Sequence, residues 1–258
     1  MKNLFDLSGK VAVVVGASSG LGADAARGFA DAGADVALLA RRTEKTEAVA
    51  EEVRGKGRKA LAVACDVTSE ESVRAAIEAV MSAYGKIDIL LNNAGVAVRG
   101  GVDGLSLADW NKSLETNLTG IYLVCKYVVP HMKEAGYGKI INTASINALV
   151  ADKNDLFIRH GYNASKAGVI GLTRGMAASY SRYGITVNAV GPGLFESEMT
   201  QSTLFQSQEF LAMYSQVNPA GRPAKRGELN GPLIFLASDA SSYVTGQILY
   251  VDGGFSVI

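Results

Sequence analysis

The stretch Val11-Ala12-Val13-Val14-Val15-Gly16-Ala17-Ser18-Ser19-Gly20-Leu21-Gly22 decides the fold. Its first five residues are apolar and rich in valine, which predicts a buried strand. The glycines that follow allow a tight turn into a helix, whose unpaired N–H groups and positive dipole end favour an anion such as a pyrophosphate. The spacing Gly-x-x-x-Gly-x-Gly differs from the Gly-x-Gly-x-x-Gly dinucleotide fingerprint. An ordinary strand-to-helix turn is therefore the alternative to the phosphate cradle that we predict at Gly16, Ser18, Ser19, Gly20, Leu21 and Gly22.

Outward from this stretch, short apolar runs alternate with stretches of helical periodicity, which predicts repeated βαβ units and a parallel sheet. Strands are expected at Val11–Val15, Val36–Ala40, Ala60–Ala64, Ile87–Leu91, Ile140–Thr143, Thr186–Val190 and Gln247–Val251. Helices are expected at Gly20–Ala32, Arg42–Gly55, Ser69–Tyr84, Leu107–Ala135, Tyr162–Tyr183 and Gly227–Leu236. No linker, low-complexity block or repeat interrupts the series. The sequence therefore predicts one α/β domain over residues 1–258, with a doubly wound, Rossmann-type parallel sheet of seven strands and helices on both faces.

One segment, from about residue 191 to residue 222, breaks this alternation. It has no obvious strand, carries prolines near each end, and holds aromatic residues that look exposed: Phe195, Phe205, Phe210 and Tyr214. A connection of this length inside a compact domain is usually functional or disordered. Because its periodic apolar residues indicate short helices, we predict a lid that becomes ordered over a bound ligand.

The composition favours a globular protein without an excess of either charge. Of the 258 residues, 48% are hydrophobic and 19% are charged, and the 25 basic residues balance the 25 acidic residues. A nucleic-acid partner is not expected, because no basic excess is present to neutralise a phosphate backbone. No apolar run approaches the ~20 residues that cross a bilayer, so no membrane contact is expected.

Neither export nor a metal site is expected. The N-terminus lacks the long apolar stretch of a signal peptide. The two cysteines, Cys65 and Cys125, lie in apolar surroundings and have no histidine partners at short spacing. Buried free thiols are the better interpretation, and they fit a reducing cytoplasm.

The end of the second predicted strand bears on the choice of cofactor. Folds that bind a free ribose 2′-hydroxyl place an acidic residue there, whereas a 2′-phosphate requires arginine. This chain has Ala40-Arg41-Arg42 and no carboxylate before Glu44. A guanidinium can bind a phosphate in a bidentate manner. The pair therefore favours NADP(H), while NAD(H) stays possible because arginine can also stack on adenine or lie in solvent.

Four polar side chains form a candidate catalytic set. Tyr162 and Lys166 are four residues apart in a predicted helix and so share one face. A nearby ammonium would lower the pKa of a phenol from about 10, which acid–base catalysis near neutrality requires. Ser145 follows a predicted strand at the carboxyl edge of the sheet, where it could donate to a carbonyl oxygen. Asn117 lies within a predicted helix, where its poor helix propensity suggests a kink or a function.

With these motifs in order, the sequence resembles the short-chain dehydrogenase/reductase family over essentially its whole length. The matching positions are Gly16–Gly22, Asp66, Asn92–Gly95, Asn117, Ser145, Tyr162 with Lys166, and Pro192 with Gly193. The resemblance implies interconversion of a secondary alcohol and a ketone. It is closest to gluconate 5-dehydrogenase-like members, a group that by resemblance also includes bacterial hydroxysteroid dehydrogenases.

The resemblance also implies roles for individual residues. Tyr162 would be the general acid or base, and Lys166 would lower its pKa and bind the nicotinamide ribose. Ser145 would polarise the substrate carbonyl, and Asn117 would hold a water that links Lys166 to solvent. The remaining cofactor contacts would be Asp66 and Val67 at the adenine, Asn93, Ala94 and Gly95 along the cofactor, and Pro192 and Gly193 at the nicotinamide.

Two departures from the family pattern are visible. Val15 stands where threonine is usual, which removes a side-chain hydrogen bond from the turn. The segment between Ser145 and Tyr162 is a few residues longer than usual, and the extra length falls at residues 151–160, beside the tyrosine. Substrate contacts are accordingly expected at Asn147, Arg159, His160 and Phe195.

Several alternatives remain at this point. Arg159 and His160 would suit the carboxylate of a sugar acid, or they lie in a solvated loop; the apolar lid would suit a steroid-like alcohol. A 3-oxoacyl-carrier-protein reductase would need a basic docking patch, which Arg159, Arg222, Lys225 and Arg226 could form. A non-catalytic nucleotide sensor would be expected to lack the tyrosine, lysine or serine.

The family commonly packs the helices at Leu107–Ala135 and Tyr162–Tyr183 between subunits, so the resemblance implies a homotetramer.

Overall fold

The computed structural model describes residues 3–153, 155, 157–201 and 204–257. At its centre is a sheet of seven parallel strands in the order β3-β2-β1-β4-β5-β6-β7. The strands are β1 (Val11–Val15), β2 (Asp35–Ala40), β3 (Ala60–Ala64), β4 (Ile89–Asn92), β5 (Gly138–Thr143), β6 (Ile185–Pro192) and β7 (Ile248–Val251). The strand order reverses between β1 and β4, and open α/β sheets bind their ligands at such a switch point.

Alternating residues of β1 show why the sheet is covered on both faces. Val13 and Val15 belong to one buried apolar cluster, and Ala12 and Val14 belong to another. Successive side chains of a strand point to opposite faces. A strand that is apolar at every position therefore needs helices on both sides, and the predicted doubly wound sheet is confirmed.

The helices match their predicted positions within a few residues, with one exception. They are α1 (Gly20–Asp31), α2 (Thr43–Gly55), α3 (Glu70–Tyr84), α4 (Leu107–Leu114), α5 (Gly120–Ala135), α6 (His160–Tyr180), α7 (Glu198–Gln201), α8 (Gln208–Val217) and α9 (Asn230–Ala237). The chain is helical throughout the predicted range Leu107–Ala135, but its α-helical geometry is interrupted. A π-helical turn at Glu115–Thr119 separates α4 from α5 and contains Asn117.

The predicted lid begins inside β6, which continues to Pro192, and beyond it the prediction of short helices is confirmed by α7 and α8. The expected exposure of its aromatic residues is wrong for Phe195 and Tyr214, which are 2% and 7% exposed. Phe195 packs into the core cluster that contains Ala12 and Val14, and the ring of Tyr214 stacks on that of Phe255 with centroids 5.6 Å apart. Ordering over a ligand stays a prediction. Ser202 and Thr203 of the lid lie outside the described residues.

Three further observations concern the described part of the chain. Both cysteines are free and buried. Within the described residues, no helix is long and apolar enough to cross a membrane. The same ranges contain no group of three or more histidine, cysteine, aspartate or glutamate residues arranged to bind a metal ion.

Candidate active site

The turn after β1 requires glycine at two positions. Gly16 has a φ of +83°, and a Cβ atom there would lie 2.7 Å from the backbone of Ala94. A Cβ atom on Gly22 would lie 2.2 Å from the carbonyl oxygen of Gly16. Ser19 precedes α1 without capping it through its side chain, so the first N–H groups of α1 stay available to an anion. This close backbone approach fits the pyrophosphate of a dinucleotide.

A cavity of about 480 Å³ opens at the carboxyl edge of the sheet. This volume is in the range of small-molecule sites. It is lined by eighteen of the predicted residues, which are Gly16, Ser18, Ser19, Gly20, Leu21, Arg41, Arg42, Asp66, Val67, Asn93, Ala94, Gly95, Ser145, Tyr162, Lys166, Pro192, Gly193 and Phe195. Five predicted residues do not line it: Gly22, Asn117, Asn147, Arg159 and His160. The structure thus brings nearly all of the expected cofactor residues to one site.

Asp66, for which the resemblance implies a contact with the adenine, lines this cavity. Its carboxylate accepts hydrogen bonds from the backbone N–H of Thr68 at 3.0 Å and from the Thr68 hydroxyl at 2.8 Å. These bonds, aided by the charge of Arg41, hold the pKa of Asp66 below its usual value. Asp66 is therefore an ionised acceptor near neutral pH.

Arg42 has an unexpected partner at the mouth of the cavity. Its guanidinium donates to both carboxylate oxygens of Glu198 at 2.8 and 2.7 Å, and to the hydroxyls of Ser18 and Ser19 at 3.0 and 2.8 Å. Lys45 donates to the same carboxylate at 2.7 Å. Glu198 was not among the predicted site residues. No motif could have identified it, because it lies on α7, 156 residues from Arg42 in the sequence.

Three of the catalytic candidates, Ser145, Tyr162 and Lys166, come together in the lining of the same cavity. Tyr162 and Lys166 lie in the first two turns of α6, and the Lys166 ammonium is 5.7 Å from the centroid of the Tyr162 ring. That ammonium donates to the carbonyl of Thr143 at 2.7 Å. Ser145 precedes a short 3₁₀ turn, and its hydroxyl hydrogen-bonds to Tyr162. Two adjacent elements therefore place a phenol, a hydroxyl and an ammonium side by side.

The predicted lowering of the Tyr162 pKa is wrong for this arrangement. Burial raises the pKa of Tyr162 above its ordinary value, although the hydrogen bond with Ser145 and the charge of Arg159 act in the opposite direction. Burial also lowers the pKa of Lys166 to about 8. An ammonium that is itself destabilised by burial is only partly charged at mildly alkaline pH, and therefore has less effect on the phenol.

Asn117 joins α6 to the loop after β4. Its amide donates to the carbonyl of Val96 at 2.9 Å and to the hydroxyl of Ser165 at 3.0 Å, and its carbonyl accepts from the Val96 N–H at 2.8 Å. Both amide hydrogens are used. Only the second lone pair of its carbonyl oxygen remains for the water that the resemblance implies.

The expected substrate residues have mixed outcomes. Phe195 lines the cavity, but its side chain is packed in the core. The guanidinium of Arg159 lies 3.5 Å from the Asp152 carboxylate, and a ring nitrogen of His160 accepts from the Val102 N–H at 3.1 Å. The Asn147 backbone N–H donates to Ser145 at 3.1 Å. Asn154 and Leu156 of the longer loop lie outside the described residues.

The basic patch expected for docking an acidic carrier is largely neutralised. Arg222 pairs with Glu228 at 2.7 Å, and Arg226 pairs with Asp24 at 2.6 Å. Together with the Arg159 contact, three of its four cations therefore face acidic partners within the chain. A surface with this pairing attracts an acidic partner less than four free cations would.

Comparisons with known proteins match almost the whole chain to dehydrogenases and reductases. A family model described as "Enoyl-(Acyl carrier protein) reductase" matches residues 16–256. Gluconate 5-dehydrogenase of Gluconobacter oxydans is 39% identical, over 99% of this chain and 98% of its own. Cis-4-hydroxycyclohexanecarboxylate dehydrogenase of Sinomonas cyclohexanicum is 39% identical, over 96% of this chain and 97% of its own. A solved gluconate 5-dehydrogenase from Burkholderia cenocepacia, in complex with NADP and tartrate, is similar with a TM-score of 0.93 and 39% identity, covering 99% of this chain and 98% of that chain.

Proposed function

The chain belongs to the short-chain dehydrogenase/reductase family, and from that premise we propose that it is an NADP(H)-dependent oxidoreductase interconverting a secondary alcohol and a ketone. The observation that carries this proposal is one cavity that joins the glycine turn to Ser145, Tyr162 and Lys166. A phosphate cradle at one end and a proton-transfer set at the other are what this reaction needs.

In this proposal each catalytic side chain has a distinct task. When bound, the cofactor supplies or accepts the hydride. Tyr162 gives its phenolic proton to the carbonyl oxygen in reduction and takes the proton of the alcohol in oxidation. Ser145 donates a hydrogen bond to the same oxygen, where negative charge develops. Lys166 would hold the nicotinamide ribose, while Asn117 keeps α6 in position and offers a lone pair to a water.

We propose NADP(H) rather than NAD(H), because Arg42, which follows β2, and Lys45 in the first turn of α2 lie near the Ser18 and Ser19 hydroxyls. Cations and hydroxyls of this kind suit a phosphate. The similar Burkholderia enzyme was solved with NADP. Use of NAD(H) remains the alternative.

For the substrate we propose a secondary alcohol that also carries a carboxylate. Gluconate and 4-hydroxycyclohexanecarboxylate, named for two relatives, share this feature, and tartrate is the compound in the similar structure. In this chain, the charge of Arg159 acts on Tyr162. Released from its ion pair with Asp152, the same cation would attract a substrate carboxylate near the reacting carbon. A hydroxysteroid is the competing substrate class.

Turnover measurements test the proposal. Purified enzyme is assayed with NADP⁺ and with NAD⁺ on gluconate, 4-hydroxycyclohexanecarboxylate, threitol and a hydroxysteroid, and in reverse on a 3-oxoacyl thioester. We expect activity on a hydroxy acid with NADP⁺, and a loss of at least ~100-fold in Tyr162→Phe, since general acid–base catalysis contributes about that much. Arg159→Gln should raise KM for the hydroxy acid and leave KM for threitol unchanged.

Other outcomes, in this assay or in cells that carry the Tyr162→Phe variant, would refute the proposal in part or in whole. Preferred turnover of the thioester would favour an acyl-carrier-protein reductase, and preferred turnover of the steroid would refute the hydroxy-acid class. Unchanged cellular function in Tyr162→Phe would favour a nucleotide sensor.

We also propose that the protein is a homotetramer and that it works in the cytoplasm. The two free, buried thiols are compatible with that compartment.

A further inference from the structure

The carboxylate of Glu198 lies among groups that suit a phosphate. The Arg42 guanidinium binds both of its oxygens, the Lys45 ammonium binds one of them, and the Ser19 hydroxyl also bonds to it. Ser18 completes the group through its contact with Arg42. A bidentate arginine, a lysine and two hydroxyls would bind a phosphate equally well. The protein's own carboxylate thus occupies an anion site.

This anion site is part of the cavity proposed for the cofactor, because Ser18, Ser19, Arg42 and Glu198 all line that cavity. The arginine follows β2, where a dinucleotide fold meets the 2′ position of the adenosine ribose. The approach on the lid side is close, since a Cβ atom on Gly20 would lie 3.2 Å from the Cβ of Ser197. A second anion would therefore compete with Glu198 for the donors of Arg42 and Lys45.

The ion pair is also one that a ligand can displace. The side chains of Arg42 and Glu198 are 45% and 47% exposed. Ion pairs at this exposure are weak, since water solvates and screens both charges. A phosphate carrying nearly two negative charges binds the same cations more strongly than a single carboxylate does.

We propose that Glu198 occupies the place of the cofactor's 2′-phosphate, so that phosphate binding and docking of α7 on the glycine turn exclude each other. This inference rests on the proposed NADP(H) function. A cofactor with a 2′-hydroxyl leaves the Glu198–Arg42 pair intact and α7 docked. A cofactor with a 2′-phosphate takes Arg42 and Lys45 and releases α7. The carboxylate therefore weakens the preference for the phosphorylated cofactor and couples the lid to it.

Calorimetric binding of two adenosine fragments tests this without turnover. The probes are adenosine 2′,5′-bisphosphate and adenosine 5′-monophosphate, and the proteins are wild type, Glu198→Gln and Glu209→Gln. Glu209 is a matched control, because it is an exposed carboxylate on α8 of the same lid. Removing a competing, half-exposed ion pair should tighten the bisphosphate by roughly three- to tenfold in Glu198→Gln. The monophosphate should bind all three proteins alike, and Glu209→Gln should match wild type for both probes.

Hydrogen exchange supplies a second readout. In wild type, the bisphosphate should accelerate amide exchange in residues 194–201, and the monophosphate should not. Equal protection of this segment by both probes would overturn the inference, as would unchanged or weaker bisphosphate binding in Glu198→Gln. If neither probe nor either intact cofactor binds wild type, the proposed function fails first. If both probes bind and Glu198→Gln changes nothing, only the role of Glu198 fails.

Discussion

Lys166 is almost completely buried, with 3% of its surface exposed, and it donates to the Thr143 carbonyl. Its pKa of about 8 lies below the ordinary value of 10.5. At pH values between these two pKa values, the unfolded chain binds more protons at Lys166 than the folded protein does. The free energy of unfolding therefore rises with pH over this range. Below about pH 8 both states are protonated, and the full cost of burying the ammonium is present.

Lys166→Met should therefore stabilise the protein while removing activity. At pH 7 we expect the free energy of unfolding to rise by about 1–3 kcal/mol, because the variant buries no charge. The gain should shrink as the pH rises from 8 towards 10.5, where the wild-type lysine folds uncharged. Urea denaturation at pH 7 and pH 10 measures the difference. Lys112→Met, an exposed position on α4, serves as the control and should show no such pH dependence. A variant less stable than wild type at pH 7 would contradict this account.

The π-helical turn between α4 and α5 shows how one element serves the site. Its extra residue per turn directs Asn117 at Val96 and at Ser165 of α6. Leu118 of the same turn packs against α6, where a Cβ atom on Gly168 would lie 2.7 Å from the Leu118 side chain. Single π turns inside helices are often found at functional sites. The turn thereby fixes α6, and with it Tyr162, relative to the loop after β4.

Asn117→Ala should weaken both the fold and the reaction. Removing the amide leaves the N–H and carbonyl groups of Val96 without these partners, which should lower the free energy of unfolding by about 1–3 kcal/mol. Because α6 then loses one anchor, we expect kcat to fall at least ~10-fold, in line with the sensitivity of catalysis to small misplacements. Thermal denaturation and steady-state kinetics check the two effects. Asn111→Ala, an exposed asparagine on α4, should change neither.

Sequence patterns predicted the elements well where burial alone decides them. The strands are apolar at successive positions, as in Val11–Val15, because both faces of the sheet are covered. The π turn was not predicted, since helical periodicity cannot register one inserted residue, although Asn117 was recognised as unusual. The Glu198–Arg42 pair was not predicted either. It depends on how the chain returns from β6, and sequence spacing carries no information about that path.

Two glycines on α6 bear on the oligomeric state of the protein. Gly171 and Gly175 are exposed, and a Cβ atom on either would meet nothing within 4 Å. Glycine inside a helix costs about 1 kcal/mol relative to alanine. Nothing in the described part of this chain offsets that cost by close packing. A second copy packed against this face would explain why both positions lack a side chain.

Replacing both glycines therefore separates the stability of the subunit from its assembly. Light scattering of wild type should give four times the chain mass of 27.0 kDa. In Gly171→Leu/Gly175→Leu the helix itself gains stability, because leucine is the better helix former. Loss of the tetramer with an intact far-ultraviolet spectrum must then come from a blocked interface. Gly55→Leu is the control, since a Cβ atom at this last residue of α2 also meets nothing within 4 Å. A monomeric wild type, or a double variant that stays tetrameric, would exclude packing of subunits through this face.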